Sequence, residues 1–177
     1  MCKSSCVCSR DSAPCGPILN KRTIIDKIIA VLAAELESYN ISARAAFAAA
    51  TDPQSKAENK YDTRSLEASY LARGQSQQML EIMRTLQQYE TMQPREFRAG
   101  APIDIGAIVE LEREGERSFF FLGPGAGGTE IECDGEEILV ITPQSPMGQE
   151  LLGRKQGESA QLPAGRVKAA FRVVAVK

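Results

Sequence analysis

The chain contains no histidine, so any chemistry it supports rests on carboxylates, hydroxyls, amines or thiols. Ser-His triads, Cys-His dyads and most zinc enzymes are thereby excluded. The acids that stand out lie in one stretch, Asp52-Pro53-Gln54-Ser55-Lys56-Ala57-Glu58-Asn59-Lys60-Tyr61-Asp62. Glu58 and Asp62 are spaced i, i+4, where like charges on a helix repel by roughly 0.2–0.5 kcal/mol. A destabilising pair of carboxylates fits the binding of a metal ion, which offsets the repulsion. Lys56, Lys60 and Arg64 stand close enough to offset it as well, either as a solvated cationic face or as contacts to an anionic partner. Plain structural readings exist beside these. Asp52 before Pro53 suits a helix N-cap with proline at the first helical position. Ser55 and Glu58 match the S-x-x-E capping box.

The thiols are placed differently. Four of the five cysteines, Cys2, Cys6, Cys8 and Cys15, fall in the first fifteen residues. Their spacing, C-x3-C-x-C-x6-C, lacks the paired C-x2-C knuckles of zinc ribbons. Serine, proline and glycine fill the gaps, so residues 1–20 read as a disordered tail; a metal-binding or redox tail is the other reading.

The elements that must carry the acids are helical. From Arg22 to Ala50 the apolar positions Ile24, Ile28, Leu32, Leu36, Tyr39, Ala43, Phe47 and Ala50 recur at steps of three and four, the helical period. Thr23 and Asp26 place a cap near its start. Such a helix is a rod of roughly 40 Å. Asp52-Pro53 is a stop and restart signal. Ala68, Ala72, Gln75, Met79, Ile82, Leu86 and Tyr89 then alternate at four and three, a heptad seam. Gly74 inside it costs about 1 kcal/mol relative to alanine. Two long helices with a short connection run antiparallel, so residues 21–93 are expected to form a hairpin with an acidic tip near residues 51–62.

Pro94 ends the second helix, and residues 94–102, PREFRAGAP, read as a linker between two separately folded units. Beyond it the period changes. Short apolar runs at 107–111, 118–122, 137–142 and 169–176, bounded by glycine and proline, read as strands. Residues 147–153 supply one or two helical turns. The expected fold class is α+β: an antiparallel helical hairpin, coiled-coil-like, followed by a small, mostly antiparallel β domain over 103–177.

Ser145-Pro146-Met147-Gly148, then Leu151-Leu152-Gly153-Arg154-Lys155, then Gly157-Glu158 and a closing strand, resemble the C-terminal domain of the Gre family of bacterial transcript-cleavage factors. That family carries S-P-[apolar]-[small]-x-x-L-[LI]-G-K-x-x-G-[DE] at this place. The resemblance spans about residues 22–177 and is stronger in the C-terminal half. It implies an FKBP-like C-terminal domain that docks on the rim of the RNA polymerase secondary channel, with Ser145, Pro146 and Met147 as the docking turn. It further implies that the hairpin enters the channel and its tip helps hold a catalytic Mg2+ ion in the polymerase active site, so that the polymerase cleaves its own backtracked RNA. The family tip reads roughly G-D-x-x-E-N-x-E-Y. Glu58, Asn59 and Tyr61 match part of it, whereas Asp52 precedes Glu58 by six positions instead of three.

On this resemblance Asp52 and Glu58 supply the magnesium ligands, shared with the polymerase and not held in the free protein, with Asp62 in reserve. Lys56, Lys60 and Arg64 then face the 3′ end of the nascent RNA. The chain is expected to be an accessory factor and no enzyme in its own right, monomeric and cytoplasmic. The changed tip spacing keeps a second reading in view: the same docking with a tip that blocks or modulates the polymerase. A peptidyl-prolyl isomerase, suggested by the FKBP-like domain, is disfavoured because its aromatic-lined pocket is hard to build with no tryptophan and four tyrosines. The net charge of −2 argues against broad phosphate neutralisation. No apolar run approaches the ~20 residues of a membrane span, and the first twenty residues lack the apolar core of a secretory signal.

Overall fold

The computed structural model describes residues 19–51, 64–98, 100–164 and 167–177. Two long helices come first, α1 (Lys21–Thr51) and α2 (Arg64–Thr91). Asn20 caps α1: its side-chain Oδ1 accepts from the Arg22 N–H at 2.9 Å, and its carbonyl accepts from the Ile24 N–H at 3.1 Å. The cap thus lies three residues before the Thr23 position that the sequence pattern favoured. Asparagine serves because its short side chain reaches back to an unpaired first-turn amide. Leu19, which falls inside the segment read as a tail, is buried with the hairpin's apolar residues. α2 runs unbroken through Gly74 and ends at Thr91, shortly before Pro94.

The remainder is one six-stranded sheet with a short helix. Its elements are β1 (Ile108–Arg113), β2 (Glu116–Leu122), β3 (Glu130–Cys133), β4 (Glu136–Ile141), α3 (Pro146–Leu151), β5 (Ser159–Ala164) and β6 (Val167–Val176). The strand order is β3-β4-β2-β1-β6-β5. All pairings are antiparallel except β2 with β4. The parallel pair arises because the chain leaves β2, crosses by the loop 123–129 and makes β3 at the outer edge before returning as β4. Asp134 and Gly135, both with positive φ, close the β3–β4 hairpin, as the left-handed residues of a two-residue turn do.

Successive strand residues face opposite sides, and both sides are covered. Phe119 and Phe121 join Ile108, Ile131, Ile138 and Val140 under the hairpin, against Leu19, Ile24, Ile25, Ile28, Leu32, Ile82 and Tyr89. Phe120 faces the other way with Val109, Leu111, Leu122, Ile141, Leu162 and Val173, where Leu151 of α3 and Ile103 close the layer. The hairpin base and the sheet therefore share a core, a closer union than two units joined only by a linker. At about 1.5–3 kcal/mol for each fully buried large apolar side chain, this seam is a main source of stability.

The segment 94–102 is likewise tied down. Lys21 Nζ donates to the Arg95 carbonyl, and its ammonium lies 4.6 Å from the Phe97 ring centroid. Burial pushes the Lys21 pKa below the usual lysine range, partly opposed by Glu96. Arg95 pairs with Asp104 at 2.9 Å.

Candidate functional site

The hairpin has a packed half and a projecting half. Ile24, Ile28 and Leu32 are buried, Leu36 and Tyr39 are half-buried, and residues 41–46 are exposed. On α2, Tyr89 and Ile82 are buried and Met79 and Gln75 half-buried, while Tyr70 and Leu71 are exposed. The seam anticipated from the heptad spacing is thus the helix–helix contact at the base, and it becomes less covered outward. With 31 residues in α1 and 28 in α2, the rod is roughly 40–45 Å long at 1.5 Å per residue. Its far ends are Thr51 and Arg64. Asp52, Lys56, Glu58, Lys60 and Asp62 lie outside the described residues, as does the side chain of Arg64. Among the described residues no group of three or more metal-ligating side chains comes together.

The second region is the turn into α3. Ser145 is the N-cap of this helix and Pro146 occupies its first turn. Ser145 Oγ accepts from the Gly148 N–H at 3.0 Å and donates to the Thr142 carbonyl at 2.7 Å. Its hydroxyl is therefore engaged within the fold. Gly148 is required by space: a Cβ there would stand 1.9 Å from the Thr142 carbonyl oxygen. Leu151 is fully buried. Gly153 has φ +80° and sends its N–H to the Ile103 carbonyl at 2.9 Å, the left-handed exit that glycine favours. The Arg154 guanidinium reaches Glu150 at 3.4 Å, and Glu158 accepts from the Lys155 N–H at 3.2 Å. Most of the motif from Ser145 to Glu158 thus builds α3 and its exit turn.

Fewer side chains remain to meet a partner. Of the three residues of the expected docking turn, Pro146 is exposed, Ser145 is half-buried, and Met147 is half-buried against the lower core. Leu152, 45% exposed beside buried Leu151, is an apolar surface residue that the sequence reading passed over. The doubled leucine was the available signal, since on a short helix only one of two neighbours can face inward. Next to Pro146 and Met147 lies an open cleft of about 310 Å³, lined also by Leu139, Ile141 and Pro163. No aromatic side chain lines this cleft.

Residues 101–177 match the family profile "Transcription elongation factor, GreA/GreB, C-term". Among solved structures the chain is similar to GreA factor homolog 1 (Gfh1) of Thermus thermophilus, at 26% identity over 84% of this chain and 94% of that one, with a TM-score of 0.37. It is similar to Gfh1 of Thermus aquaticus at 26% identity, over 83% and 92% of the two chains, with a TM-score of 0.38. A GreA/GreB factor from Nitrosomonas europaea is 23% identical over 66% of this chain and 94% of that one, with a TM-score of 0.35. No curated protein matches the chain. No described helix is long and apolar enough to cross a membrane. Residues 101–177, which hold the entire sheet and α3, thus match the C-terminal domain of the GreA/GreB transcription elongation factors, and in this chain they follow a long two-helix hairpin.

Proposed function

We propose that this chain binds bacterial RNA polymerase through its C-terminal domain, lays its hairpin in the secondary channel, and stimulates the polymerase's own cleavage of backtracked RNA through carboxylates at the tip. The observation that carries the reading is the union, in one chain, of a GreA/GreB C-terminal domain with a hairpin whose connection, residues 52–63, holds Asp52, Glu58 and Asp62. The docking surface consists of Pro146, Leu152 and the exposed part of Met147, with Ser145 holding their helix in place. The protein acts as a monomeric accessory factor and contributes no active site of its own.

The donor set suits magnesium, which takes hard oxygen ligands and keeps several waters. In two-metal hydrolysis of a phosphodiester, such an ion activates the attacking water or stabilises the leaving oxygen. Asp52 and Glu58 add carboxylates at the weaker of the polymerase's two sites and thereby raise its occupancy. One or two exposed acids are too few for a stable site in the free protein, so they act only where polymerase and RNA phosphate supply further ligands. Lys56, Lys60 and Arg64 contribute positive charge near the RNA 3′ end.

The test is Asp52→Asn with Glu58→Gln, which removes charge and keeps shape. Stimulation should be abolished at unchanged polymerase binding, and partial single variants should suffer more at low magnesium. Equal stimulation by the double variant contradicts the assignment. The six-residue spacing from Asp52 to Glu58 favours one alternative, a factor that occupies the channel without stimulating cleavage. Its mark is competition with an active factor in the absence of cleavage.

A further inference from the structure

The hairpin meets the sheet through a contact that has almost no free space. Tyr89, near the end of α2, is 1% exposed, and its hydroxyl donates to the Gly125 carbonyl at 2.9 Å. Gly123 lies against the same phenol: a Cβ there would stand 1.9 Å from Tyr89 Oη and 3.1 Å from Cζ. One turn earlier on α2, Thr85 presses on Gly125, where a Cβ would come within 2.7 Å of Thr85 Cγ2. Neither glycine has a positive φ, so close approach, not backbone conformation, excludes a side chain at both. The loop is in turn fastened to the sheet by the Gly123 N–H to the Ile141 carbonyl at 2.9 Å and the Gly128 N–H to the Val140 carbonyl at 2.8 Å. On the α1 side, Lys27 Nζ donates to the Glu132 carbonyl of β3.

We propose that Tyr89, Gly123 and Gly125 form an interlock that sets the direction in which the hairpin leaves the sheet, which makes them positioning residues for the tip. The lever is long. From Tyr89 to Arg64 the helix runs roughly 38 Å, so a tilt of about 5° at the base moves the far end by about 3 Å. A misplacement of about 1 Å can cost on the order of a hundredfold in a reaction that depends on alignment. The consequence for transcript cleavage rests on the polymerase reading above; the interlock itself is a property of the free protein.

Spin labels on noncanonical side chains at Ile41 and Glu116, both exposed, report the hairpin-to-sheet distance in the full chain with its cysteines intact. The wild type should give one narrow distribution. Gly123→Ala should shift its maximum by about 2 Å for a tilt of about 5°, since Ile41 lies ten residues, roughly 15 Å, short of the far end of α1. Combining Gly123→Ala with Tyr89→Phe should return the maximum most of the way to wild type, because removing Oη leaves Cζ at 3.1 Å and the Gly125 carbonyl oxygen at 3.2 Å, contacts that need only a few tenths of an ångström of give. A loss of packing alone would not be cured by deleting a second atom. Tyr89→Phe by itself adds no atom and should broaden the distribution; this variant carries the test if Gly123→Ala does not fold. A wild-type distribution in Gly123→Ala, a shift that the double variant leaves in place, or a Tyr89→Phe width equal to wild type overturns the proposal. In the polymerase assay, Gly123→Ala should keep binding and lose roughly tenfold or more in tip-dependent stimulation. If wild type binds no polymerase while the distances behave as stated, the functional reading fails and the interlock stands.

Discussion

Replacing Ser145 by alanine separates a residue that builds α3 from one that would touch the proposed partner. The Ser145 hydroxyl accepts from the Gly148 N–H at 3.0 Å and donates to the Thr142 carbonyl at 2.7 Å. Losing an N-cap costs about 1 kcal/mol, within a range of roughly 0.5–2. The Thr142 carbonyl is not orphaned, because it also accepts from the Ser145 N–H at 3.0 Å, so the second bond adds little. For a chain of this size each kcal/mol corresponds to about 2–4 °C in Tm, and Ser145→Ala should lower Tm by about 2–6 °C in a circular dichroism melt. Well below that transition, competition for polymerase should weaken less than tenfold. The contrast is Leu152→Asp on the exposed face: Tm should stay within about 2 °C, since exposed substitutions rarely exceed 0.5 kcal/mol, while polymerase binding falls at least tenfold. An unchanged Tm with abolished binding in Ser145→Ala would show that the hydroxyl meets the partner and that the capping account is wrong.

Three further outcomes follow from the packing. Leu19→Ala should destabilise by about 2–3 kcal/mol, the low end for a core leucine, whereas removing residues 1–18 should leave the urea midpoint unchanged; equal effects of the two would place Leu19 outside the core. Tyr89 gives a signature in alkali. Burial raises its pKa above the ordinary 10.0, only partly opposed by its bond to Gly125. The folded state therefore holds the proton more tightly, and stability that is constant below pH 10 is lost as the pH rises above it, at up to about 1.4 kcal/mol per pH unit. Urea unfolding between pH 9 and 11.5 should show a shallower loss in Tyr89→Phe, and identical slopes would refute the burial argument. Finally, the contacts of Lys21, Arg95 and Phe97 should make the segment 94–102 as resistant to limited proteolysis as the strands; preferential nicking there would favour two independently folded units.

Periodicity made the long elements legible before the structure did. The i, i+4 run of Ile24, Ile28 and Leu32 and the heptad positions Ile82 and Tyr89 are the buried seam, because only a helix brings such spacing to one face. The three phenylalanines could not be assigned to a side in advance: a fully apolar strand carries no alternation, and both faces of the sheet turn out to be covered. β3 and β5 were passed over for different reasons. β3 has four residues, two of them exposed glutamates, and the Asp134-Gly135 dipeptide that closes its hairpin was its readable mark. β5 contains Pro163, which argues against a central strand but is tolerated at the sheet edge where β5 lies. The family motif at 145–158 coincides with α3 and its exit turn. Its division into fold-building and exposed residues was not visible, since a serine that caps a helix and a serine that binds a partner are the same letter. The tip acids remain readable from sequence alone, because they lie outside the described residues.

The central claim is met most directly by RNA cleavage in a backtracked elongation complex, measured with and without the full-length chain at low and high magnesium. Stimulated cleavage that depends on Asp52 and Glu58, at polymerase affinity unchanged by their substitution, is the predicted result. No stimulation at saturating factor, together with displacement of an active cleavage factor from the same complex, would contradict the cleavage reading and establish channel occupancy in its place.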